Sequence, residues 1–277
     1  DGTIMNEILH NAASWAMEHQ GIDLNDYDYD KDGTIDGIWF IYDQYDFFTN
    51  YAVDSIKNPF VNLSDYNQAL GNFTTWDYYG PSYGKDVPTV SGFSWASVSS
   101  MYNGYAPHDE YGVVDVSTYG NVDLDSHIYI HETGHLLGLD DYYVSNNSVR
   151  HPAGQYTMMD ENVCDLDSYS KLLLGWVTPY VVYGTSEIVI PKATSSDHAV
   201  IVIPHDFEDL SESVEYAIKK NKIDKFTYEF IPFSEYMLID LYSPDGLNEK
   251  DASSKTIYGR DSAPTDTGVR IYHIDSR

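Results

Sequence analysis

The stretch His131 to Asp141, HETGHLLGLDD, constrains this chain more than any other. Two histidines four positions apart lie on one face of an α-helix, their Cβ atoms about 5–6 Å apart. Ile128, Ile130, Leu136 and Leu137 flank them, so the helix reads as buried. Glu132 stands beside the first histidine. Burying a carboxylate among imidazoles is costly unless something with opposite charge joins them. Gly138 then ends the apolar run. A glycine past a helix C-terminus adopts φ > 0 cheaply, so the chain reverses and the next residues, Asp140 and Asp141, swing back toward the histidines.

Zinc meets that requirement. It accepts imidazole nitrogens at about 2.0–2.1 Å and carboxylate oxygens at about 2.0–2.2 Å, and a catalytic zinc keeps a fourth position open. H-E-x-x-H on a helix is the arrangement of zinc proteases, with the glutamate as general base. Asp141 follows His131 by ten residues, the spacing of the third ligand in H-E-x-x-H-x-x-G-x-x-H. The expected Zn2+ ligands are therefore His131, His135 and Asp141, with Asp140 as the alternative for the third. Glu132 is the expected catalytic residue, taking a proton from a water and passing it to the leaving amine.

A second cluster lies upstream in DYDYDKDGTID. Counted from Asp28, EF-hand-like spacing assigns Asp28, Asp30, Asp32, the carbonyl of Thr34 and Asp36 to a Ca2+ ion, with Gly33 at the sixth position. The twelfth position is Trp39 rather than Glu, so another carboxylate must complete the shell. The ion would be structural, ordering the loop ahead of the strand over 37–42.

Elsewhere, apolar spacing predicts a helix over 3–19. GIWFIY (37–42) and GFSWASVSSMY (92–102) read as strands, and the histidine helix covers about 124–138. DLDSYSKLLLGW (165–176) reads as a helix capped by Asp165 or Asp167 and ended by Gly175. VVYGTSEIVI, HAVIVI, EYMLIDLY and GVRIYHID read as strands. This makes an α+β chain: residues 1–179 a mixed domain, residues 180–277 mostly β, with the boundary near Pro179.

Several segments resemble the immune inhibitor A-like secreted metallopeptidases (peptidase family M6), metzincin-type enzymes with Asp as third zinc ligand. They are IYIHETGHLLGLDDYY, YTMMDENVCDLDSYSKLLLGWV, and EYMLIDLY followed by GVRIYHID. The resemblance covers about residues 20–277. It implies a zincin catalytic domain, with a twisted mixed sheet, an active-site helix and a Met-turn, followed by a β-rich region. It assigns Met159 to the Met-turn, with Met158 as rival, and implies a secreted or cell-surface bacterial endopeptidase acting on proteins or peptides. Tyr142 or Tyr169 would stabilise the oxyanion. The alternative is a catalytically silent binding or adhesion protein that retains the fold.

The net charge of −29, from 44 acidic and 15 basic residues, excludes nucleic acid and anionic membrane as partners. No apolar run is long enough to span a bilayer. A monomer is expected. The single cysteine, Cys164, rules out a disulfide framework and is not expected to be catalytic. The sequons at Asn62, Asn72 and Asn146 read as chance. The chain opens inside a helical pattern without an initiator Met, as a processed fragment would.

Overall fold

A computed structural model of the chain describes residues 2–42, 73–77, 81–90, 92–98, 100–103, 105–107, 116–143, 151–182, 184–197, 199–205, 233, 235–254, 256–257 and 260–275. The asparagines of the three sequons lie outside these residues. Helices and strands are mixed, an α+β composition in the general sense. The chain divides into two compact units, Asp1–Leu136 and Leu137–Arg277.

In the first unit, helix α1 (Gly2–Gln20) precedes β1 (Thr34–Ile35), β2 (Ile38–Tyr42), β3 (Phe73–Asp77), β4 (Thr89–Val90) and β5 (Gly92–Ser97). Strand β5 is central, parallel to β2 and antiparallel to β3; β1 and β4 form a separate parallel pair. Successive side chains of a strand face opposite ways, and β5 uses both faces. Phe93 and Trp95 join Leu9 and Ala13 of α1, together with Leu24, Ile35 and Val90, in one buried cluster. Register pairs Phe40 with Trp95, and their rings stack 4.4 Å apart. Ser94 points the other way, toward helix α3 (His127–Leu136). A strand covered on both faces reads as a run of buried residues, as β5 does. It stops at Ser97, and a short helix α2 (Ser100–Asn103) replaces the expected extension of the strand to residue 102.

In the second unit, a four-stranded sheet has the order β11-β8-β7-β6, from β6 (Thr178–Val181), β7 (Ala199–Pro204), β8 (Glu235–Tyr242) and β11 (Gly268–Asp275). Strands β9 (Thr256–Ile257) and β10 (Arg260–Asp261) pair separately. Short helices α4 (Met158–Glu161), α5 (Ser168–Leu173) and α6 (Glu249–Ser253) lie among them. Leu172 of α5 packs on Val200, Val202, Tyr236 and Leu238. Asp240, fully buried on β8, is held by two bonds from Arg270 of β11, 2.9 and 2.6 Å, and by the Ser168 hydroxyl. A buried carboxylate is tolerated when paired and bonded in this way.

One strand expectation is corrected here. The strand expected over 181–190 does not form: β6 ends at Val181, and residues 184–190 are irregular. Pro179, where a boundary was expected, lies inside β6 and pairs with Val200 of β7. The apolar residues of 188–190 suggested a strand, but no partner strand is present for them among the described residues. Without a ladder, β propensity alone does not make a strand.

Gly37 sits where α3 crosses the sheet; a Cβ there would lie 3.3 Å from Leu136 Cδ1. Gly37→Val is expected to lower stability by about 1–3 kcal/mol through overpacking. Denaturant melts of the two proteins check this, and an unchanged midpoint would show that the helix is not held close.

Candidate metal centre

The N-terminus of α3 is set by Asp125, whose Oδ1 accepts the His127 backbone N–H at 2.9 Å and also bonds the His127 ring. This Asx-type bond precedes a helix that starts at His127 rather than at the expected position 124. Asp125 is tied back in turn: its own N–H donates to the Met101 carbonyl at 2.7 Å.

Four contacts fix the rotation of α3 on its sheet. Trp39 Nε1 donates to Thr133 Oγ1 at 3.2 Å, and that hydroxyl donates to the Tyr129 carbonyl at 2.6 Å. The Tyr129 hydroxyl donates to the Ser97 carbonyl at 2.6 Å. Ser94 Oγ donates to the Glu132 carbonyl at 3.1 Å. Burial pushes the Tyr129 phenol up to about 12, so this donor keeps its proton at any ordinary pH.

With the rotation fixed, the histidine face is determined. His131 Nε2 and His135 Nε2 stand 3.0 Å apart, with the rings nearly perpendicular at 82°. Two ligands about 2.0–2.1 Å from a tetrahedral centre are about 3.3 Å apart, so the pair fits one zinc ion. His131 and Glu132 are each only 3 % exposed, while His135 is half-buried.

Past the helix, Gly138 has φ +91°, the left-handed conformation that the reversal requires. Leu139 is buried, and Asp140 and Asp141 are exposed. Along this continuous segment, ligand atoms of His131, His135 and Asp141 lie within 4.8 Å of one another; Asp140 is outside that group. Zinc, a borderline cation, accepts neutral imidazoles together with a carboxylate.

Tyr142, next in sequence, donates its N–H to the Met159 carbonyl at 2.8 Å. Met158 and Met159 are both buried, and both open α4. The two candidate Met-turn residues thus lie beside the segment that follows Asp141. Helix α5 is shorter than the expected 165–176. Asp167 rather than Asp165 caps it, accepting from the N–H groups of Tyr169 and Ser170 at 2.8 and 3.0 Å. Gly175, φ +70°, ends it, with Trp176 N–H closing on the Lys171 carbonyl at 2.8 Å.

The upstream acidic loop brings Asp28, Asp30 and Asp32 within 4.8 Å of one another. Gly33 takes φ +89°. Asp28 accepts the N–H groups of Asp32 and Gly33, both at 3.1 Å, and Asp36 Oδ2 accepts the Tyr29 N–H at 3.0 Å. Asp36 therefore closes the loop and stands apart from the other three. Thr34 Oγ1 donates to Asp32, and Thr34 lies in β1.

A third cluster was not anticipated. His151 Nδ1 lies 2.7 Å from Asp160 Oδ1, and its Nε2 lies 3.0 Å from Glu161 Oε1. Each carboxylate faces a different ring nitrogen, so the imidazole is clamped between them. That is an ion-pair geometry, whereas one shared ion would draw both carboxylates to the same nitrogen. Residues nine and ten positions apart carry no periodic signal, which is why sequence reading passed over them.

Comparison with family models, curated proteins and solved structures returns no match. No helix among the described residues is long and apolar enough to cross a membrane.

Cys164 is buried, and its thiol is pushed up to about 12, first by burial and then by the Asp251 carboxylate. A neutral buried thiol is a poor nucleophile. Because the folded state holds the proton more tightly than the unfolded chain (ordinary value about 8.5), this group's contribution is complete below about pH 8.5 and is lost as pH rises toward 12. Alkylation of native protein at pH 8 is expected to be negligible until denaturant is added. Rapid labelling of folded protein, read by mass, would contradict the burial.

Proposed function

We propose that this chain is a zinc-dependent endopeptidase, and that the reading rests on one observation: two imidazole Nε2 atoms 3.0 Å apart on a helix whose neighbouring glutamate is buried. The resemblance to immune inhibitor A-like metallopeptidases supports the same reading. His131 and His135 would hold the ion through their imidazoles, and Asp141 would add a carboxylate. A zinc ion held there supplies Lewis acidity, polarising a carbonyl and making a water acidic near neutral pH. Glu132 would serve as the general base and acid, taking a proton from a water and delivering it to the departing amine. The contacts from Ser94, Trp39 and Tyr129 hold the helix so that Glu132 and both histidines keep their positions without reorganising during the reaction.

Of the two tyrosines considered for the oxyanion, Tyr142 has its hydroxyl 2.9 Å from Ser170 Oγ, within the second unit's polar network. Tyr169 is therefore the preferred candidate. Burial, Asp167 and Asp140 raise its phenol above the ordinary range, which keeps the proton available for donation.

A Ca2+ ion in the loop of Asp28, Asp30 and Asp32 completes the proposal. It would relieve the repulsion among three clustered carboxylates and brace β1. Proteins and peptides are the proposed substrates, acting outside the cell or at its surface.

Glu132→Gln is expected to reduce cleavage of an unfolded protein by at least about 100-fold while zinc content stays at one per chain. Equal zinc with no cleavage by the parent protein would favour the silent binding reading instead. In a separate measurement, calcium at about 100 times its dissociation constant should stabilise chelator-treated protein by about 2.7 kcal/mol. Asp28→Asn should remove that response, and a melting temperature indifferent to calcium would sink the second metal.

A further inference from the structure

Asp141 is exposed and lies past the C-terminal end of α3. The residue after it is pinned at both ends. Tyr142 N–H donates to the Met159 carbonyl at 2.8 Å, and its hydroxyl lies 2.9 Å from Ser170 Oγ. Either hydroxyl could donate in that last pair taken alone. The rest of the network decides. Ser170 Oγ lies 3.0 Å from Asp167 Oδ2, an oxygen that only accepts, so the single serine proton goes there. Tyr142 must then donate to Ser170.

Asp167 is buried, and its two oxygens accept from the Thr157 hydroxyl at 2.6 Å, the Ser170 hydroxyl, and the N–H groups of Tyr169 and Ser170. Thr157 accepts in return from the Asp167 N–H at 3.1 Å. The chain of donors therefore has one direction, from Tyr142 through Ser170 to Asp167, and it ends on a carboxylate fixed by four bonds. Thr157 also stands at the N-cap position of α4, the helix that supplies the Met159 carbonyl, and its own carbonyl accepts the Asp160 and Glu161 N–H groups at 3.1 and 3.2 Å. Both anchors of Tyr142 are thereby fixed to one another.

We propose that Tyr142 and Ser170 are positioning residues for the metal: through the Asp167 network they hold the backbone beside Asp141 so that its carboxylate meets the cation without a search. The inference rests on the reading of Asp141 as a zinc ligand and deepens it. Removing groups that orient a ligand commonly weakens metal binding about 10–100-fold.

The test is zinc affinity, measured by competition with a chromophoric chelator on folded apo-protein, with the melting temperature of the same apo-samples recorded. Tyr142→Phe and Ser170→Ala should each weaken zinc binding by about tenfold or more. The double variant should lose no more than the worse single, because both remove one relay. Ser170→Thr, which keeps a hydroxyl, should restore most of the affinity. Should Ser170→Ala fail to fold, Tyr142→Phe decides alone, since it deletes one oxygen at a half-buried position. Unchanged zinc affinity in folded variants, with only a lower apo melting temperature, would show a purely structural network and overturn the proposal; additive losses would overturn the single relay. If the parent protein binds no zinc at all, the zinc reading itself falls, an outcome visible before any variant is made.

Discussion

The rotation of one short helix about its axis is the constraint on which the chemistry depends. Helix α3 has ten residues, too few to be stable alone in water. Its position is imposed by the sheet beneath it: the Trp39 indole on Thr133, the Ser94 hydroxyl on the Glu132 carbonyl, the Tyr129 phenol on the Ser97 carbonyl. A turn of about 100° per residue means that a modest rotation would carry His131 and His135 away from any common partner. Gly37 permits the close approach that these bonds need, because a side chain there would meet Leu136.

The second unit solves a different problem with the same means. It buries Asp160, Asp167, Asp240 and Asp251, each of which would be costly without partners. Asp167 is saturated by hydroxyls and helix N–H groups, Asp240 by Arg270 and Ser168, and Asp251 accepts the Cys164 N–H at 2.5 Å. These carboxylates join segments distant in sequence, as in the bond from Cys164 to Asp251. In an acidic chain with only 15 basic residues, hydroxyls and backbone donors must do much of what arginine and lysine do elsewhere.

Much of the histidine segment was legible before any coordinates. The i, i+4 pair, the glutamate between them, the glycine break and the aspartate ten residues on each follow from helix geometry and glycine's conformational freedom. The strands 38–42, 199–204, 235–242 and 268–275 were also readable, because β-branched and aromatic runs bounded by turn residues have few alternatives. The failures have a common cause. Residues 184–190 look like a strand by composition but have no partner among the described residues, and Ser100–Asn103 form a helix beyond the end of β5. Local propensity cannot report whether a neighbouring strand is present.

By itself, the sequence determined which residues stand on one helix face and where the chain turns back after it, since imidazole spacing on a helix and a φ > 0 glycine are local properties of a few neighbouring residues. Only the tertiary structure decided that Asp141 rather than Asp140 has a carboxylate oxygen grouped within 4.8 Å of the histidine nitrogens, that Asp167 rather than Asp165 caps its helix, and that the Tyr142 and Ser170 hydroxyls meet. The last of these depends on hydrogen-bond partners 28 residues apart, and no periodicity encodes a contact whose two ends belong to separate elements.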